Sequence, residues 1–252
     1  MKTLIKHTVV LALLLAAPGL AAAQPITITV KGVSFKMIKV QGGTFTMGAT
    51  PEQGSDVYDK DKPAHRVTLS SYYIGETEVT QALWKAVMGT NPSNWQGDNL
   101  PVEQVSWNDC QTFIQKLNQL TGRKFRLPTE AEWEFAARGG NSSRGYKYSG
   151  SNTIGNVAWY GDSGGSTHDV KTKAPNELGI HDMSGNVEEW CQDWYGDYSS
   201  SAQTNPKGPT SGSNRVHRGG GWSYSDVFCR SANRFSNSPS YSYCNLGLRL
   251  AL

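Results

Sequence analysis

Residues 218–252 read RGGGWSYSDVFCRSANRFSNSPSYSYCNLGLRLAL, and the rest of the chain is best understood outward from this stretch. Of the 24 residues from Trp222 to Asn245, seven are Ser, three Tyr and three Asn, so small polar groups and phenols make up more than half. Tyr offers a large contact area for little rotamer entropy, while Ser and Asn supply adjustable hydrogen bonds, which is why binding surfaces are rich in them. A polar C-terminal loop would have a similar composition, but the spacing separates two sets of positions. Arg218, Gly219, Gly220, Trp222, Cys229, Arg230, Ala232, Arg234, Pro239, Leu246, Gly247 and Arg249 read as a frame. Between them lie three clusters: Ser223, Tyr224, Ser225, Asp226, Val227 and Phe228; then Phe235, Ser236 and Ser238; then Ser240, Tyr241, Ser242, Tyr243 and Cys244. If these clusters bind a ligand, the frame arginines are expected to hold their backbone, because a guanidinium fork can tie several carbonyls at once.

Residues 1–23 carry the marks of an export signal: Lys2 and Lys6, an apolar run over 9–16, and Ala21-Ala22-Ala23 before Gln24. The apolar run is too short to span a bilayer. The mature chain is therefore expected to begin near Gln24 and to be periplasmic, cell-surface or secreted. Losing the two lysines lowers the formal charge from +3 to +1. Without a basic stripe, neither nucleic acid nor an acidic membrane surface is an expected partner, and so short an apolar run predicts no membrane insertion. Low mean hydropathy (−0.49) together with 27 Gly and eight Trp points to a loop-rich fold with an aromatic core. Residues 24–252 contain no linker or internal repeat and read as one domain, expected to be monomeric.

Strand-like alternation runs through ITITV, VSFKMIKV and GGTFTMG over 26–48, turning at Gly42-Gly43. Residues 49–64 read as a loop, 65–73 resume alternation, and 74–79 lead into a helix. Ser106 and Asp109 cap a helix whose apolar positions are Cys110, Phe113, Ile114, Leu117 and Leu120, ending at Gly122. Thr129 and Glu132 form a capping box for a second helix that buries Trp133, Ala136 and Ala137 and stops at Gly139-Gly140. Its glutamates read as cap, dipole and surface groups rather than paired catalytic carboxylates.

GGTFTMG (42–48), HRVTLSSYYIGETEVT (65–80) and above all RLPTEAEWEFAARGG (126–140) resemble the formylglycine-generating-enzyme-like (sulfatase-modifying factor) domain. The C-terminal stretch resembles members diversified by diversity-generating retroelements, in which adenine randomisation yields mainly Asn, Ser, Tyr, Asp, Cys, Phe and Val. This resemblance implies an α+β, C-type-lectin-like fold with little regular secondary structure, and 218–252 as its variable ligand-binding region.

The resemblance also implies structural calcium. GNVEEW (185–190) matches a family calcium motif, which makes Asn186 and Glu189 ligands, and a second site maps onto Asn156, the Val157 carbonyl and Asp162. Oxygen-rich loops suit a hard cation, the alternative being that Asn186 and Glu189 hydrogen-bond turn backbone. His65, His168, His181 and His217 lack ligand spacing, so no transition-metal site is expected. The catalytic members hold copper with a pair of Cys just after an RGGSW-type motif. Here 223–228 contains no Cys, and Cys229 and Cys244 lie 15 apart. Copper and catalytic residues are accordingly not expected. Export permits disulfides, and the frame pair Cys191–Cys229 is the one to test.

Three functions stay open on these readings. The first is a non-catalytic display protein for a protein or cell-surface ligand. The second is a formylglycine-generating-type oxidase, and the third a periplasmic regulator with a fixed protein partner.

Overall fold

The alternation at 26–48 resolves into three strands of a computed structural model that describes residues 24–161 and 163–252. The leader over 1–23 and Asp162 lie outside the described residues. Strands β1 (Ile26–Val30) and β2 (Val33–Val40) form an antiparallel hairpin, extended on the far side of β2 by β5 (Tyr72–Gly75). β3 (Gly43–Met47) pairs instead with β4 (His65–Leu69), and β7 (Gln203–Thr204) closes that second sheet. The alternating run at 65–73 is thus two strands in different sheets. It breaks at Ser70-Ser71, where the Ser70 amide donates to Asn205 Oδ1 and the Ser71 hydroxyl accepts from the Gly42 amide.

The third sheet, ordered β10-β6-β8-β9, carries the C-terminal stretch: β6 (Glu188–Trp194), β8 (Arg215–Arg218), β9 (Arg234–Asn237) and β10 (Leu246–Leu248). β6 lies inside it, parallel to β10 and antiparallel to β8.

Three helices complete the domain. α1 (Gln81–Met88) is capped by Thr80, and α2 (Trp107–Thr121) and α3 (Glu130–Ala137) both begin with full capping boxes, Ser106/Asp109 and Thr129/Glu132. Each box satisfies two amide donors that a helix start otherwise leaves open. α2 buries Cys110, Phe113, Ile114 and Leu117. Leu120, one of its expected apolar positions, instead lies 48% exposed on the last turn. Among the described residues helix amounts to 21% and strand to 23%, so more than half are irregular, an α+β fold with little regular secondary structure. Two large cores hold it together. One is built on α1, α2 and the ends of β6 and β10, the other on β3, β4 and α3 with Trp133 and Cys191. A small third cluster joins Tyr148, Ile154, Val157 and Ala158 to Cys229.

A candidate ligand-binding face on an arginine-braced frame

Four arginines of the C-terminal stretch are buried, at 2% exposure or less, and each is matched to a carboxylate. Arg218 pairs with Glu134 through a short contact and donates to the carbonyls of Ser231, Ala232 and Asn233, at 3.0, 2.8 and 2.8 Å. Arg230 meets Asp61 at 3.0 Å and the Val227 carbonyl at 2.8 Å. Arg234 grips Glu130 with two bonds of 2.6 and 2.8 Å and reaches the Lys60 and Gly196 carbonyls. Arg249 meets Glu189 at 2.7 Å and ties the Gly75 and His181 carbonyls. Planar forks of five donors make this possible: each satisfies a carboxylate and still fixes irregular backbone that has no ladder partner.

Glu130 and Glu134 therefore differ from their expected role as surface groups. Only Glu132 acts as the cap and faces Arg126, while its two helical neighbours are buried partners of the frame. Gly220 completes the frame at φ +69°, where a Cβ would stand 2.7 Å from Cys229 Sγ and 2.9 Å from the Phe228 carbonyl.

None of the cluster side chains is buried. Ser223, Ser225, Ser238, Ser240, Tyr241, Ser242 and Tyr243 are exposed, and Tyr224, Asp226, Val227, Phe228, Phe235, Ser236 and Cys244 are half-buried. Frame residues 229–234 and 245–250 are all buried. Tyr224, Phe228 and Phe235 touch one another with ring centroids 5.6–5.8 Å apart. Tyr241 and Tyr243 stack at 6.2 Å. The second and third clusters are joined where the Tyr241 amide donates to the Ser238 carbonyl, and Trp222 Nε1 reaches the Cys244 carbonyl at 3.5 Å. Pro239 accepts from the Asn108 amide at the start of α2.

Beneath the face lie two groups absent from the expected set. The Glu188 carboxylate receives the Tyr224 hydroxyl at 3.4 Å and lies 3.1 Å from His217 Nδ1, while His217 Nε2 meets the Asn237 amide at 3.1 Å. Both Glu188 and His217 are 2% exposed. The loop at 49–64 supplies the rest. Gln53 accepts from the Ala232 amide, Asp61 holds Arg230, and Tyr58 stacks on Phe228 at 6.0 Å. Nothing in a polar loop 170 residues upstream marks it as a neighbour of the C-terminus.

The expected calcium ligands are otherwise engaged. Both Glu189 oxygens lie within 3.1 Å of the Arg249 guanidinium, and one also accepts from Trp133 Nε1 at 2.6 Å. Asn186 accepts from the His168 amide and turns its own amide to the His168 carbonyl. A dication beside a guanidinium would be repelled, so Asn186 and Glu189 do not fit calcium in this arrangement, and the cation Glu189 faces is Arg249. Of the second set, Asn156 is exposed with its carbonyl accepting from the Ala174 amide, Val157 packs in the third core cluster, and Asp162 is outside the described residues. No group of three or more His, Cys, Asp or Glu suited to a metal occurs among the described residues.

All four cysteines are free thiols, so the Cys191–Cys229 bridge does not form. The two sit in different core clusters, where burial raises both thiols above the ordinary range. No helix among the described residues is long and apolar enough to cross a membrane.

Comparison with known proteins agrees with this architecture. A profile of the sulfatase-modifying factor enzyme 1-like domain matches residues 29–252. The formylglycine-generating enzyme of Streptomyces coelicolor is 32% identical, with 94% of this chain and 95% of that protein covered. The chaperone protein LppX of Paenibacillus barcinonensis is 34% identical over 83% and 86% of the two chains. Among solved structures, Treponema denticola variable protein 1 superposes with a TM-score of 0.83 and 37% identity, covering 90% of this chain and 98% of that one.

Proposed function

The chain belongs to the sulfatase-modifying factor enzyme 1-like domain family, and on that premise we propose that it is an exported, non-catalytic ligand-binding protein. Residues 223–228, 235–238 and 240–244 form its variable face, presented to a macromolecular ligand of protein or cell-surface origin. One observation carries the reading: every cluster side chain keeps solvent access, while the residues interleaved with them at 229–234 and 245–250 are buried. A surface whose side chains contribute little to the core can change without unfolding its host, and exposed aromatics of this kind mark interaction sites.

The likeness to a variable protein supports retroelement diversification of this face. Against the oxidase reading, a soft cuprous ion calls for paired thiolates, and here Cys110, Cys191 and Cys229 are dispersed over three core clusters with Cys244 at the surface. The test is to sequence the 3′ end of the gene from sister isolates. Substitutions at adenines, confined to the cluster codons, are expected. Substitutions spread evenly over frame and clusters would contradict the proposal.

A further inference from the structure

The loop at 49–64 places one cation on the face formed by the C-terminal clusters. Lys60 Nζ lies 4.2 Å from the ring centroid of Phe235 and 5.2 Å from that of Tyr58, and Lys60 is half-buried. Its ammonium makes no hydrogen bond or ion pair among the described residues. Its backbone carbonyl, held by Arg234, does the structural work. The neighbouring cations are all committed: Arg218 to Glu134, Arg230 to Asp61, Arg234 to Glu130 and Lys147 to Asp56. Burial lowers the Lys60 pKa, consistent with an ammonium short of hydrating partners.

Resting on the ligand-face reading, we infer that Lys60 is a specificity-determining residue outside the variable clusters, and that it receives a carboxylate of an acidic protein ligand. A lone ammonium matches a single negative charge. A phosphate or sulfate dianion is better met by several donors or a bidentate guanidinium, and the guanidiniums here are spent inside the frame. Lys60 is half-buried, and partial removal from water strengthens an ion pair relative to a fully exposed one. The variable residues would then set the fit while Lys60 sets a constant demand for an acid.

Peptides selected from a random-peptide display library on the purified protein test this. Wild-type selections should be enriched in Asp and Glu, Lys60→Glu should weaken the selected peptides about tenfold or more, and reselection on Lys60→Glu should replace the acids by Lys and Arg. Lys60→Gln, with the melting temperature of the parent, separates loss of the contact from misfolding. If peptides are lost on Tyr241→Ala but have equal acid content on wild type and Lys60→Glu, the face stands and the role of Lys60 is overturned. If they tolerate both changes, the face reading falls and Lys60 with it. Stronger competition by phosphate than by acetate at equal ionic strength would assign an oxyanion instead of a carboxylate, and would likewise overturn the inference.

Discussion

Arg218, Arg230, Arg234 and Arg249 do in this molecule what regular ladders do elsewhere, because each converts a buried charge into a clamp on irregular backbone. Removing one member of such a pair strands the other, which costs about 3–5 kcal/mol. Glu189→Gln should therefore lower stability by about that amount in a urea titration, and by the same amount with or without a calcium chelator. A deficit that vanishes in chelator would return Glu189 to the role of metal ligand.

Asp193 gives a second residue-level test. Burial first, and then the Glu130 carboxylate, pushes its pKa up to about 8. The folded state thus keeps a proton that the unfolded chain releases near pH 4. Its contribution to stability is therefore fully present below about pH 4, falls as the pH rises towards about 8, and is lost above it. Asp193→Asn keeps an acceptor for the Glu130 amide and should gain on the parent steadily from pH 5 to 8. Parallel melting-temperature curves would contradict this. The arginines were legible as frame from their spacing, but their partners were not. Glu134 lies 84 residues from Arg218, and Asp61 lies 169 from Arg230, so no local pattern reveals the pairing.

At the level of elements, local chemistry was readable and long-range chemistry was not. The two capping boxes identified α2 and α3 because the signal lies within four residues. β6 was hidden: EEWCQDW carries three carboxylates, a composition that reads as an oxygen-rich loop, yet the strand is interior because Arg249 and His217 meet two of its acids. The loop at 49–64 was legible as irregular, but its role as a brace for residues 230–235 was not. Gln53→Ala removes the acceptor of the buried Ala232 amide. Hydrogen exchange at Ala232 is then expected to quicken while exchange in the α2 core stays at the rate of the parent. Equal acceleration in both would show a global loss of stability rather than a local brace.

The molecule as a whole divides its labour between a charged, clamped interior and a surface that supplies little to the core. Family membership and the α+β class were legible from short shared strings spread between residues 42 and 252, because those strings are β3, β4, β5, the capped helix α3 and the frame itself. The burial of 229–234 and 245–250 was legible too, since Cys229, Arg230, Ala232, Arg234, Leu246, Gly247 and Arg249 read as frame. The polar floor of Glu188 and His217 was not, as it comes from neighbouring strands that only the fold brings together. The contacts of that floor with Tyr224 and Asn237 set a limit on tolerance, and these two should be the most costly positions within 223–228 and 235–238. The measurement that bears most directly on the account is a pair of randomised libraries scored by protease resistance, one varying 223–228, 235–238 and 240–244, the other varying 229–234 and 245–250. Most members of the first are expected to stay within about 1 kcal/mol of the parent and most of the second to unfold, whereas equal losses in the two libraries would contradict the division between frame and face.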